Sequence, residues 1–425
     1  AILGMAIKYS EVVLAQHYRH IESEDKDPRK WEGTVSGGPM YYIERGLGPK
    51  WKPMAVFFAV MLGLTAFLTG NGIQANTVAD TMSSAFGTPT WITGLITTAI
   101  VAMVILGGIA RIGKVTAVLA PVMAGIYVAG ALIIIALNLG DVIPSLGLIV
   151  TEAFNPTAGV AGTGVGAILM TMMWGVKRGL YSNEAGQGSA PIAHAAAKTD
   201  EPVSEGVVAL LEPFIDTLSV CTMTALVIII TGAWTERNPT QITFSGGHSS
   251  YVMYDEDGWR TTTEPPTEIR VQDGRVVETG PGVALFAWHD VPVEEFYHDS
   301  EHTVPFTGVI FPRDGRAEDV NGNSHTSLYG PAVENAAPLT MLGFRRGLAP
   351  LGDWGHYIVL FSVMLFAVST AISWSYYGDR CAYYLFGAKA VLPYKMFFVA
   401  MHFVGAVLPL ATIWGLGDVF LGIVI

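Results

Sequence analysis

The stretch Trp174-Gly175-Val176-Lys177-Arg178-Gly179-Leu180-Tyr181-Ser182-Asn183-Glu184-Ala185-Gly186-Gln187-Gly188-Ser189-Ala190-Pro191 decides how this chain reads. It follows an apolar run that begins near residue 163. A helix entering there advances only about 18 Å in the twelve residues to Trp174, short of the roughly 30 Å of a bilayer's hydrocarbon. The path therefore continues through a polar run with four glycines, each of which weakens a helix by about 1 kcal/mol relative to alanine. Non-helical backbone at membrane depth is tolerated only where it is buried in protein or lines a cavity. Carbonyls freed by a break can coordinate a cation, and the freed N–H groups of the following half-helix can hold a carboxylate. The alternative for the same residues is a cytoplasmic re-entrant or amphipathic segment after a short span.

The rest of the chain supplies the membrane. Of 425 residues, 51% are hydrophobic and 14% charged, with mean hydropathy +0.43. A soluble domain carries about 25% charged residues. Apolar segments of helix length fall near 1–17 (partial), 54–82, 90–109, 115–138, 163–176, 207–234, 356–377 and 391–412, with another beginning near 416. These runs are continuous rather than alternating, which selects helices over a barrel. Pro121 and Pro393 are tolerable where neighbouring helices satisfy the freed carbonyls. Both ends fall inside apolar runs, which reads as a chain cut within a helix at each end. The fold class expected is an all-α polytopic membrane protein.

Charge sets the orientation. Arg19, Lys26, Arg29, Lys30, Arg45, Lys50 and Lys52 lie between the first two segments. Arg111 and Lys114 lie between the third and fourth, Lys177, Arg178 and Lys198 after the fifth, and Arg380 and Lys389 after the seventh. The alternate loops, around 83–89 and 139–162, contain no Lys or Arg. This is a positive-inside pattern, with 18–52 on the cytoplasmic side. Residues 235–355 differ: they hold 18 Asp and Glu, 8 Arg and no Lys, a net −10 of the chain's −12. Turn signals at Asp257-Gly258, Asp273-Gly274 and Asp314-Gly315 alternate there with β-prone stretches such as 250–254 and 268–271, the pattern of hairpins. The expected division is a transmembrane core at 1–234, an acidic, β-rich extracytoplasmic insertion at 235–355, and the rest of the core at 356–425. His248, His289, His298, His302 and His325 show no paired spacing for a metal and read as surface residues. Cys221 and Cys381 read as small packing residues.

Two further places carry polar groups inside apolar runs. In Gly70-Asn71-Gly72-Ile73-Gln74-Ala75-Asn76, Asn71 and Gln74 share a helix face. Their amides can both donate to and accept from a zwitterion, or else bond to neighbouring helices. In Ser369-Thr370-Ala371-Ile372-Ser373-Trp374-Ser375-Tyr376-Tyr377-Gly378, two adjacent hydroxyls supply oxygen ligands for Na+, and Trp374 offers a pocket wall; the alternative is hydroxyls bonded back to their own helix. Asp216 is an intramembrane acid, a functional candidate by position, with Lys177 or Arg178 the favoured partner.

At these motifs the sequence resembles the alanine or glycine:cation symporter family. The matching stretches are Lys8-Tyr9-Ser10-Glu11-Val12-Val13-Leu14-Ala15, Gly37-Gly38-Pro39-Met40-Tyr41-Tyr42-Ile43-Glu44, Gly70-Asn71 with Gln74-Ala75-Asn76, Gly179 to Pro191, Phe214-Ile215-Asp216-Thr217 and Trp374-Ser375-Tyr376-Tyr377-Gly378. The resemblance implies a LeuT-like fold of two inverted five-helix repeats, here incomplete, with helices two to seven in 1–234 and eight to ten in 356–425. It implies symport of Na+ with alanine, glycine or a similar small neutral amino acid, as a multi-pass protein of the plasma (inner) membrane. Carried over position by position, Gln74, Trp174, Tyr181, Ser182, Asn183, Gly186 and Trp374 would bind substrate, with Tyr181 or Trp174 as an aromatic lid. Ser369 and Thr370 would bind sodium. The 235–355 insertion departs from the family pattern.

The competing reading is a membrane sensor or receptor that uses the acidic segment to bind a partner. A channel would want a ring of repeated polar residues, which is not apparent. No nucleophile–base set points to an enzyme, and no basic patch points to nucleic acid.

Overall fold

The structure is a computed structural model describing residues 2–22, 35–154, 172–173, 175–176, 178–179, 181–244, 249–255, 258–262, 264–289 and 291–424. The expected segment 163–176 lies largely outside these residues, and so does Trp174. Helix α1 covers Ile2–His17. A short antiparallel pair, β1 (His20–Ile21) with β2 (Val35–Ser36), leads into α2 (Pro39–Gly46).

An apolar run from Pro49 to Ser83 follows. It takes in α3 (Lys52–Phe67) and most of α4 (Ile73–Phe86), joined without a loop by a π-helical turn at Leu68–Gly72. Such turns frequently mark functional sites. Helices α5 (Thr90–Ile105) and α6 (Gly108–Leu137) come next. Helix α7 (Leu139–Phe154) then occupies most of what the sequence reading takes for a loop. Apolar residues at Val142, Ile143, Leu146, Ile149 and Val150 recur at helical spacing there, and that periodicity outweighs Pro144.

After the region of the break come α8 (Ala190–His194) and the run Pro202–Ile230. That run contains α9 (Pro202–Ala209), a second π-helical turn at Phe214–Val220 and α10 (Cys221–Ile230). The chain ends in α11 (Ala336–Gly347), α12 (Gly355–Phe386), α13 (Val391–Val407) and α14 (Leu410–Val424). Among the described residues, five runs are long and apolar enough to cross a membrane, and two shorter helices, Thr90–Ile105 and Thr412–Val424, are also apolar. This is the architecture of a multi-pass membrane protein.

Small residues set the helix spacing. Ala55, Ala59, Leu62 and Ala66 of α3 are fully buried in one cluster with Ala371, Ile372 and Cys381 of α12. A Cβ added at Gly405 of α13 would lie 2.4 Å from the Cα of Gly72 in the first π-turn, so glycine meets glycine there. Without a hydrophobic drive between helices in lipid, close approach of this kind supplies much of the packing.

Between α10 and α11 the chain forms strands. Strands β3 (Asn238–Thr243) and β13 (Ser327–Ala332) pair antiparallel, bringing the entry and exit of the region together at Asn238 and Ala332. Within them lie β4 (Ser249–Asp255), β5 (Gly258–Thr261), β6 (Ile269–Gln272), β7 (Arg275–Val276), β8 (Ala284–Trp288), β9 (Val291–Pro292), β10 (Gly308–Phe311), β11 (Arg316–Asp319) and β12 (Ser324–His325). One sheet runs β12-β11-β10-β6-β7 and another β5-β4-β8-β9. Asp273 and Gly274, with φ of 48° and 83°, form a two-residue turn between Gln272 and Arg275. Both φ values are positive, as the type I′ hairpin turn needs. Phe286, Phe296, Phe306 and Ile310 are fully buried in the region's own core. Helix α11 belongs with the helices instead: Phe344 lies 5.0 Å from Tyr127 of α6, ring to ring.

Candidate functional site

Residues 181–183 are helical, 184–189 are not, and α8 resumes at Ala190. The break is thus shorter than the sequence suggests. It turns through three left-handed positions, Glu184 (φ 53°), Gly186 (φ 87°) and Gly188 (φ 72°). Gly188 is also required by space, since a Cβ there would lie 2.5 Å from Pro39 and 2.7 Å from Phe58.

The break frees backbone groups inside a helical bundle, and each unmet one would cost several kcal/mol. Helix α1 meets two of them. Lys8 is fully buried, and its Nζ donates to the Asn183 carbonyl at 2.8 Å and lies 2.9 Å from the Glu212 carboxylate. Glu11, on the same face of α1 three residues on, accepts from the Gly186 N–H at 3.1 Å. The cation and carboxylate expected at the break are therefore, in part, the chain's own side chains. The Asn183 side chain closes the turn by accepting from the Ala185 N–H at 3.0 Å. Its amide also donates to Thr217 Oγ1 at 3.1 Å.

Four other elements reach the same place. Trp374 of α12 is buried and donates its indole N–H to Glu184 Oε1 at 2.9 Å. Tyr181 donates to Asp418 of α14 at 2.6 Å. The Arg178 guanidinium stands over the Tyr181 and Trp414 rings at 5.9 and 5.1 Å. Thr69, in the first π-turn, donates to the Gly417 carbonyl at 3.3 Å. The second π-turn supplies Asp216, which accepts from the Ser182 hydroxyl and from Thr217 Oγ1 at 3.2 Å. Two hydroxyls thus hold Asp216; Lys177, one of the two basic partners the sequence reading favours, lies outside the described residues.

Tyr181, Ser182, Asn183, Gly186 and Trp374 accordingly converge. Gln74 is half-buried, and its amide bonds back to the Thr69 carbonyl at 3.4 Å, one turn away. Its neighbours are interhelical staples. Asn71 donates to the Phe398 carbonyl at 2.7 Å and meets His402 Nδ1 at 2.6 Å. Asn76 donates to the carbonyls of Gly405 and Leu408 at 3.2 and 2.8 Å. Ser369 bonds to its own helix at the Phe366 carbonyl, 3.0 Å away. Thr370 is half-buried, one turn before Trp374. Sequence reasoning assigns no role to Lys8, Glu11, Glu184 or Glu212. The signal for the first two is a lysine and a glutamate three apart in an apolar run, since charge inside a membrane segment marks a partner or a site.

The profile described as "Sodium:alanine symporter family" matches residues 1–249 and 325–425, on either side of the strand-rich 250–324. The chain belongs to the sodium:alanine symporter family. It is similar to the sodium/alanine symporter AgcS of Methanococcus maripaludis, at 35% identity over 425 residues, covering 99% of this chain and 70% of that protein. It is similar to the putative sodium/proton-dependent alanine carrier protein YrbD of Bacillus subtilis, at 29% identity over 429 residues, covering 100% of this chain and 68% of that one. The probable sodium/glutamine symporter GlnT of the same organism is 39% identical over 234 residues, covering 55% of this chain and 46% of that one. Membership makes the protein a cation-coupled amino-acid symporter, not an enzyme, with Na+ as the coupling ion. None of these relatives is named a sensor or receptor.

Proposed function

We propose that the protein carries a small neutral amino acid, alanine or glycine, together with Na+, by alternating access in a LeuT-like arrangement of inverted repeats. The observation that carries this is the break at 184–189, seated against the buried indole of Trp374. Broken helices at a shared node are where transporters of this kind bind substrate. Trp374 forms one wall of the pocket, with Tyr181, Ser182, Asn183, Gly186 and Gln74 around it, Trp174 as a second aromatic, and Ser369 and Thr370 on the sodium. The charged side chains at the break already have partners within the protein: Lys8 is engaged by Glu212, Glu11 by the Gly186 N–H, and Glu184 by Trp374 and Ser189. AgcS and YrbD are both named for alanine, which supports the size class. In this reading the protein lies in the plasma membrane, and 235–355 is an insertion on the extracytoplasmic face, following the charge bias of the flanking loops. Full-length protein in proteoliposomes is expected to accumulate labelled alanine under an inward Na+ gradient. Equal uptake with K+ in place of Na+ would overturn the proposal.

A further inference from the structure

Trp374 is 3% exposed, so its one N–H needs an acceptor within the protein. That acceptor is Glu184 Oε1 at 2.9 Å, 190 residues away in sequence. The other carboxylate oxygen accepts from Ser189 Oγ at 2.7 Å, which fixes the carboxylate plane. The face of the indole lies on Gly70, where an added Cβ would fall 2.1 Å from the indole Cγ. Tyr377 meets the ring at 5.4 Å and 67°, edge to face. The ring is therefore clamped by packing on its face and by a single charged acceptor at its polar edge. Glu184 holds this position from a left-handed backbone conformation (φ 53°), which costs a non-glycine residue of order 1 kcal/mol. Glycine occupies the other two left-handed positions of the break, at 186 and 188. A carboxylate kept at the first is explained by what it holds.

We infer that Glu184 is a positioning residue. It fixes the rotamer of the Trp374 indole, and through it the size of side chain the transport pocket admits. This rests on the reading of Trp374 as a pocket wall. In this role Glu184 acts through the ring and not by contact with substrate.

The test is alanine uptake by full-length protein in proteoliposomes, competed by glycine, valine and leucine. In E184A, leucine and valine are expected to compete roughly tenfold better relative to alanine, the scale of one methylene's discrimination. The KM for alanine should rise while Vmax changes little. E184Q keeps a carbonyl acceptor for the indole N–H and should retain selectivity within about twofold. W374F keeps a ring but lacks the N–H, so it should shift selectivity as E184A does, and E184A/W374F should shift it no further. Where E184A fails to reach the membrane, E184D, with its carboxylate drawn back by one methylene, carries the same test. Selectivity unchanged in E184A, or shifts that add in the double variant, would overturn the inference. If W374F and W374A shift selectivity while E184A does not, the positioning role falls alone. If no Trp374 variant shifts it, the pocket reading falls with it.

Discussion

The break at 184–189 and the strands at 238–332 solve the same problem in opposite ways. Around the break, polar groups find partners far along the chain: Lys8 reaches Asn183 across 175 residues, and Trp374 reaches Glu184 across 190. In the strands many find partners next door, beside cross-strand pairs such as Thr240 with Glu334 and Gln241 with Ser327. Arg270 bonds Glu268 two residues away, Arg316 bonds Glu318 two away, and Asp299 accepts from Thr303 four away. The difference follows from the solvent. Water can satisfy a surface carboxylate, so pairing there is local, optional and weak. In a helical bundle in lipid an unpaired charge is costly, so the fold itself must deliver the partner. Long-range pairs of this kind tie the break to the helical bundle. The family profile matches that part and not residues 250–324.

The largest effect that would break this contrast is at Lys8. K8M leaves the buried Asn183 carbonyl and the partly exposed Glu212 carboxylate without the Lys8 ammonium, and each acceptor left unsatisfied costs about 1–3 kcal/mol. Loss of transport and a large fall in detergent melting temperature are expected. A melting temperature near wild type would show the pair to be incidental. Next is G70A, whose Cβ has no room beside Trp374. Overpacking of this kind costs about 1–3 kcal/mol, and alanine uptake should fall even where the protein is well expressed.

A smaller effect is expected in the strands. The Val304 N–H, followed by the Thr303 hydroxyl and N–H, holds the Asp299 carboxyl down at about 2. Its unfolded value is about 3.9. A depressed folded value stabilises above the unfolded one, and that contribution is lost as pH falls from about 4 towards 2. Pepsin cleavage of the 299–304 loop should therefore rise over that window in the wild type and less steeply in D299N. The smallest effect should come from the largest change. Replacing 244–326 by an Asn-Gly turn joins β3 to β13 in their existing register, Thr243 opposite Ser327. Na+-driven uptake should stay within about twofold of wild type if local pairing means energetic independence. Its loss would tie the strands to the transport cycle.

What could be read from the sequence divides along the same line. Local signals suffice for the apolar runs among the described residues and for the Asp273-Gly274 turn, because a hairpin turn and a spanning helix are each written in a few adjacent residues. The break was visible as a glycine-rich polar run, although its extent, 184–189, depends on which backbone groups α1 can reach. Bonding to a neighbouring helix is one of the two readings the sequence allows at Gly70 to Asn76, but nothing local names α13 as the partner of Asn71 and Asn76, since their acceptors lie more than 300 residues on. Helix α7 reads as a loop in the sequence because Asp141 and Pro144 interrupt its apolar spacing. Glu184 was in view inside the quoted motif, but nothing near it in sequence points to an indole 190 residues away.

The most direct measurement is the location of bound alanine and Na+ in full-length protein, by cryo-electron microscopy with both present at saturation. Alanine density against the Trp374 indole and Gly186 is the expected result. Alanine bound within 238–332, with none beside Trp374, would contradict it.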